Sequence, residues 1–219
     1  MDSSGAWAGH AGRALPFTSQ ELVPMSISSG VRFKGRRGKG LATQYFVTCQ
    51  AAWFVAVYGG ARGSAVPALL CAAVLLSWHL LRAAKPLAEA RIVALVTTVG
   101  WTWDSLVAQT GWLAYPGHAI GTVHAPLWIA ALWALFSIQL NVVFAWLRGR
   151  WWLAAALGAV GGPMSFRAGA ALGAVRFAHP EAAICALAAG WAVLMPAAVW
   201  VAMRWDGVSG PPEPSDVQT

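Results

Sequence analysis

The chain has 219 residues, and with its 23 glycines roughly 68% of it is apolar or glycine, against about 45–50% in a soluble globular domain. Charged residues make up 11%, where a soluble domain carries about 25%. The balance excludes a disordered chain and a disulfide scaffold, and it points to a single integral-membrane domain.

Residues 1–41 are polar, rich in glycine and serine and without periodicity, and read as a disordered basic cytoplasmic tail. No apolar core lies within residues 1–24, so they do not read as a signal peptide. Met25 is an alternative start that would leave residues 1–24 untranslated.

Six apolar segments follow, roughly Ala42 to Tyr58, Ala65 to Leu81, Ile92 to Leu113, Pro126 to Leu147, Trp151 to Val175 and Ala182 to Met203. Each is about 17–25 residues long, enough at 1.5 Å per residue for a hydrocarbon core of about 30 Å. None shows the two-residue alternation of a membrane β-barrel. The expected fold is all-α, a bundle of six transmembrane helices over residues 42–205, followed by a disordered cytoplasmic tail at 206–219.

Net charge is +7, and its distribution speaks for orientation rather than nucleic-acid binding. Arg32, Lys34, Arg36, Arg37 and Lys39 precede the first segment; Arg82, Lys85 and Arg91, then Arg148 and Arg150, then Arg204 fall on the same side. The opposite loops hold only Arg62 and Arg176. The positive-inside rule therefore puts both termini in the cytoplasm, at the inner membrane of a bacterium. No basic face interleaved with aromatics is present to track phosphates.

Asp104 is the residue most charged with information. It sits in TVGWTWDSLVAQTGW within the third segment, where a carboxylate is costly unless paired, neutral or facing water. Thr97, Trp101, Ser105 and Ala108 share its helical face, so it is expected to point into the bundle as a proton, cation or ligand site, or as a hydrogen-bonded link between helices. Arg167, on the fifth segment, has a depth that suits an ion pair with Asp104, although it could also snorkel outward.

Asn141 on the fourth segment and Ser165 on the fifth complete the expected intramembrane polar site with Asp104 and Ser105. Gly161-Gly162-Pro163 is expected to break the fifth helix and free carbonyls for a ligand, or else to serve as a packing kink. The spacings Gly158-xxx-Gly162 and Gly169-xxx-Gly173 favour close helix contact. No metal site is expected: His118 and His124 share a loop without a third ligand, and Cys49, Cys71 and Cys185 are scattered singly through apolar stretches. No cofactor is expected either, because GRRGKG lacks P-loop spacing, and no GxSxG elbow occurs. An enzyme is the less favoured reading.

The strings QAAWFVAVYGGA (50–61), WDSLVAQTGWLAYP (103–116), APLWIAALWALF (125–136) and LGAVGGPMSFRAGAALGAV (157–175) resemble an uncharacterised bacterial polytopic membrane-protein family, domain of unknown function 2878. The resemblance covers about residues 44–203. It implies a small multi-pass inner-membrane protein without an established activity, with relatives sometimes encoded beside fatty-acid or lipid-modifying enzymes. Arg167 and Val142 depart from the family's usual pattern, whereas Asp104, Asn141 and Gly162-Pro163 fit it.

Two functions follow as expectations. One is an accessory factor in membrane-lipid or fatty-acid metabolism, with the lipid bilayer and a lipid-metabolising enzyme or other membrane protein as partners. The other is a small transporter or permease-like protein with its site around Asp104 and a broken fifth helix.

Overall fold

Long apolar stretches punctuated by proline and glycine fold here into six α-helices, as the computed structural model of the chain, described over residues 37–209, shows. These are α1 Arg37–Ala61, α2 Val66–Arg82, α3 Pro86–Gln109, α4 Leu127–Ser137, α5 Trp151–Ala171 and α6 Pro180–Arg204. Proline at the first turn of α2, α3 and α6 starts each helix where its missing N–H costs nothing. Gly111, at φ +74°, turns the chain sharply after α3, a conformation that side-chain-bearing residues rarely adopt. A short antiparallel pairing of β1 Leu113–Ala114 with β2 Arg176–Phe177 then ties the loop after α3 to the loop before α6.

The all-α expectation is met: α2, α5 and α6 run within four residues of their expected bounds, while α1 and α3 begin five and six residues earlier than expected. One helix, α6, is by itself long and apolar enough to cross a membrane, with a mean hydropathy of 2.0. The fourth segment differs from expectation. α4 stops after 11 residues, and the chain continues as turns to a 3-10 turn at Ala145–Leu147. Two side chains account for the stop. Ser137 Oγ donates to the carbonyl of Ala134, and Gln139 Nε2 donates to that of Leu135. Those are the carbonyls that the next helical N–H groups would use, so the side chains compete with the ladder.

The fifth segment corrects a second expectation. Gly161, Gly162 and Pro163 do not break it, and α5 is continuous from Trp151 to Ala171. Packing keeps it so. A methyl group at Gly158 would meet the carbonyl oxygen of Trp191, and one at Gly162 would meet the Trp191 indole, so α5 lies directly on α6 along this stripe.

The first and last parts of the chain also differ from expectation. α1 already begins at Arg37, inside the stretch expected to be a disordered tail. Residues 206–209, expected to belong to the C-terminal tail, fold back onto the helices through Lys85 N–H to Gly207 O at 2.9 Å and Gly207 N–H to Glu89 Oε1 at 2.8 Å. The remaining tail expectations, residues 1–36 and 210–219, lie outside the described residues.

Candidate functional site

Small residues and tryptophans set the geometry around Asp104. Gly100 leaves room on α3 for the indole of Trp133 from α4, and a side chain there would collide with that ring. Trp133 thereby reaches Asp104, donating from Nε1 to Oδ2 at 2.7 Å. On its other side Trp133 stacks on Trp191 of α6, with ring centroids 4.4 Å apart and planes 14° from parallel. Asp104 is 1% exposed, and its Oδ1 has no protein partner. The Trp191 Nε1 is also buried and unpartnered.

Both residues line a cavity of about 300 Å³ enclosed by α1, α3, α4, α5, α6 and the turns after α4. Its remaining wall is largely aromatic, aliphatic and glycine, including Trp53, Phe136, Met195, Gly158 and Gly162, with Gln50, Gln139 and Ser165 as further polar groups. The rim residues Phe46, Gln50, Leu157 and Gly161 are exposed, so the cavity opens sideways between α1 and α5. Across that mouth Trp53 Nε1 donates to Ser165 Oγ at 3.1 Å. The volume stands at the lower end of the about 300–1,000 Å³ typical of small-molecule pockets.

A second polar cluster lies at the other end of the bundle. Glu89, in the first turn of α3, is 1% exposed and accepts three hydrogen bonds. Its Oε1 takes Asn141 Nδ2 and Gly207 N–H, each at 2.8 Å, and its Oε2 takes His79 Nε2 at 2.9 Å. With the proton of His79 on Nε2, its Nδ1 is left to accept from the Tyr45 hydroxyl at 2.8 Å. Arg148 donates to Asn141 Oδ1 at 2.7 Å and pairs with Asp206 at 2.9 Å. The chain of contacts joins α1, α2, α3, the turns after α4 and the C-terminal segment, and the Arg148 Nε is the buried side-chain atom of the cluster left without a partner.

Burial pushes the Asp206 carboxyl up, but the backbone and hydroxyl of Ser209, the Arg148 guanidinium and the Val208 N–H outweigh it and hold the group below the ordinary carboxylate value. A carboxyl lowered on folding stabilises the fold above its unfolded value of about 3.9, and that share is lost as pH falls through the folded value. Thermal unfolding of the purified protein is therefore expected to lose stability below about pH 4. Asp206→Asn should remove part of that acid sensitivity, which a melting series from pH 7 to pH 3 checks.

The expected site residues separate into two places. Asp104, Ser165, Gly161 and Gly162 share the cavity. Ser105, one residue on, turns away: its Oγ donates to the Trp101 carbonyl and accepts from Ala125 N–H, fastening the loop before α4. Asn141 belongs to the Glu89 cluster and not to the cavity. Arg167 is exposed and forms no ion pair with Asp104, whose bonded partner is Trp133. Pro163 is buried within α5. Sequence reasoning missed Glu89, Tyr45 and Asp206. The available signal was His79 in the last turn of α2 and Glu89 in the first turn of α3, separated by a loop too short to let them diverge.

Residues 43–197 match the family described as protein of unknown function (DUF2878). The chain belongs to this family. Asp104, Glu89 and Asn141 all fall within the matched stretch, whereas Asp206 and Gly207, which close the Glu89 cluster, lie beyond it. No curated protein and no solved structure is similar to the chain.

Proposed function

We propose that the chain is a six-span bacterial inner-membrane protein, with both termini in the cytoplasm, that holds a lipid-derived molecule as an accessory factor in membrane-lipid or fatty-acid metabolism. The observation that carries this reading is the cavity that opens sideways between α1 and α5. In a bilayer such a mouth faces acyl chains, so a ligand enters from the membrane and not from water.

Several features support the membrane placement. Large apolar side chains are exposed around the bundle, among them Leu70, Val74, Leu106, Val160, Val193 and Trp200. A soluble protein rarely leaves so much contiguous apolar surface in water. The short α4 fits a fourth span completed by residues 138–147. Non-helical backbone is tolerated at membrane depth only when buried in protein; Ile138, Leu140, Asn141 and Leu147 are buried, residues 142–145 half-buried and Trp146 exposed. The Gln139 carbonyl receives the N–H groups of Val142, Val143 and Phe144, which keeps those donors satisfied. The excess of Lys and Arg on one set of loops supports the orientation.

The permease-like alternative retains Asp104, but it has lost the broken helix on which it also relied. A strain deleted for the gene and complemented with Asp104→Asn separates the roles, with membrane abundance and total lipid profile read together. The expected result is normal abundance with the lipid profile of the deletion strain. An unchanged lipid profile in the deletion strain itself would remove the lipid role and leave transport to be tested.

A further inference from the structure

Two residues lining the cavity each carry a buried polar atom without a protein partner, and the two atoms are opposite in kind. Asp104 Oδ1 has lone pairs to offer, and Trp191 Nε1 has a proton. Both residues meet the Trp133 indole, on which Trp191 stacks and which donates to the other oxygen of Asp104. An unsatisfied polar group in an apolar enclosure is costly, and two among the residues lining one cavity point to a ligand atom that completes the set.

The pair selects the ligand's head group. One that only donates, such as an ammonium, leaves Trp191 Nε1 unpaired. One that only accepts, such as an ether or a carboxylate, offers nothing to an ionised Asp104. A hydroxyl does both at a single oxygen, and it pairs with a carboxyl in either protonation state. The rest of the wall is apolar, and about 300 Å³ accommodates a head group with the start of one chain but not a two-chain lipid. The exposed rim at Phe46, Leu157 and Gly161 lets the remainder of the chain pass out between α1 and α5.

We propose that this cavity binds a neutral single-chain amphiphile with a hydroxyl head, the class of long-chain alcohols and monoacylglycerols, its oxygen donating to Asp104 Oδ1 and accepting from Trp191 Nε1. The assignment rests on the laterally open cavity of the proposed function, and it adds the chemistry of the head group.

The test uses the full chain in phosphatidylcholine nanodiscs and a long-chain alcohol carrying a diazirine near its head. Probes of the same chain ending in ammonium, carboxylate or methyl serve as comparisons. Photolabelling is mapped by peptide mass spectrometry. The alcohol is expected to label Trp133, Trp191 or Met195 saturably, at a half-saturating concentration at least tenfold below the other three. Asp104→Leu should raise that concentration at least tenfold. Gly161→Leu, at a rim position where an added Cβ meets no protein atom within 4 Å, should abolish cavity labelling while the protein stays monodisperse.

If the four probes label the cavity alike, or if monodisperse Asp104→Leu labels like the parent, the hydroxyl assignment is wrong and the lateral cavity survives. If no probe labels the cavity residues, both readings fall. Should Asp104→Leu aggregate, the ranking of probes on the parent protein and the Gly161→Leu result decide the matter.

Discussion

Truncation of Glu89 to alanine is expected to cost at least about 3 kcal/mol of fold stability, the sum of what its buried partners lose. Three donors lose their acceptor at once: His79 Nε2, Asn141 Nδ2 and the Gly207 N–H. Each buried donor left unpaired costs about 1–3 kcal/mol, and the three belong to α2, to the turns after α4 and to the C-terminal segment. The loss should therefore appear as detachment of residues 206–209 as well as a lower midpoint. Hydrogen exchange at Gly207 measures the detachment, and unfolding by SDS titration from mixed micelles measures the midpoint. Glu89→Gln keeps the shape and one accepting oxygen, so it should lose roughly half as much. Parent-like unfolding of Glu89→Ala would show that the cluster contributes nothing to the fold.

Two glycines three residues apart on α5 should respond in opposite directions to the same methyl group. Gly158→Ala places its Cβ against the Trp191 carbonyl oxygen, part of the backbone of α6 and unable to rotate aside. The helices must part or bend, an overpacking cost of about 1–3 kcal/mol or more. Gly161→Ala meets no atom within 4 Å. It should be neutral or stabilise the helix by about 0.5–1 kcal/mol, because alanine gives up less backbone freedom than glycine. Comparing the two midpoints in one detergent checks both. Equal tolerance would mean that the close approach of α5 to α6 does not carry stability.

Helices were legible because their signal is local. Length, apolarity and the proline and glycine at each boundary belong to the segment itself, and α2 and α6 run within two residues of the expected spans. The stop of α4 was not legible, although both residues that cause it, Ser137 and Gln139, stand in the sequence. Whether such side chains face outward or return to the helix carbonyls depends on what packs beyond them. Here Ile138 and Leu140 are drawn into the core, which turns the chain.

Asp104 was legible for a different reason: a carboxyl inside an apolar run is conspicuous wherever its neighbours lie. Glu89 was not, since PLAEAR at a helix start reads as a solvated turn. Its burial comes from Asn141 and Gly207, which are 52 and 118 residues away in the chain. Arg167 shows the reverse failure. Its depth suits Asp104, but Gly158 and Gly162 seat α5 on α6, and five residues past Gly162 the helix has turned about 140° away from that face.

The sequence by itself determined the number of helices, the approximate ends of most of them and the one carboxyl that no apolar stretch would carry without cause. These are properties of windows shorter than a helix, set by side-chain transfer energies and by the dihedral limits of proline and glycine. The tertiary structure decided which polar groups meet: Asp104 with Trp133 and an open cavity, Glu89 with His79, Asn141 and the returning C-terminal segment. Those partnerships depend on how each helix is rotated about its axis, and rotation is set by where small residues let neighbouring helices close in.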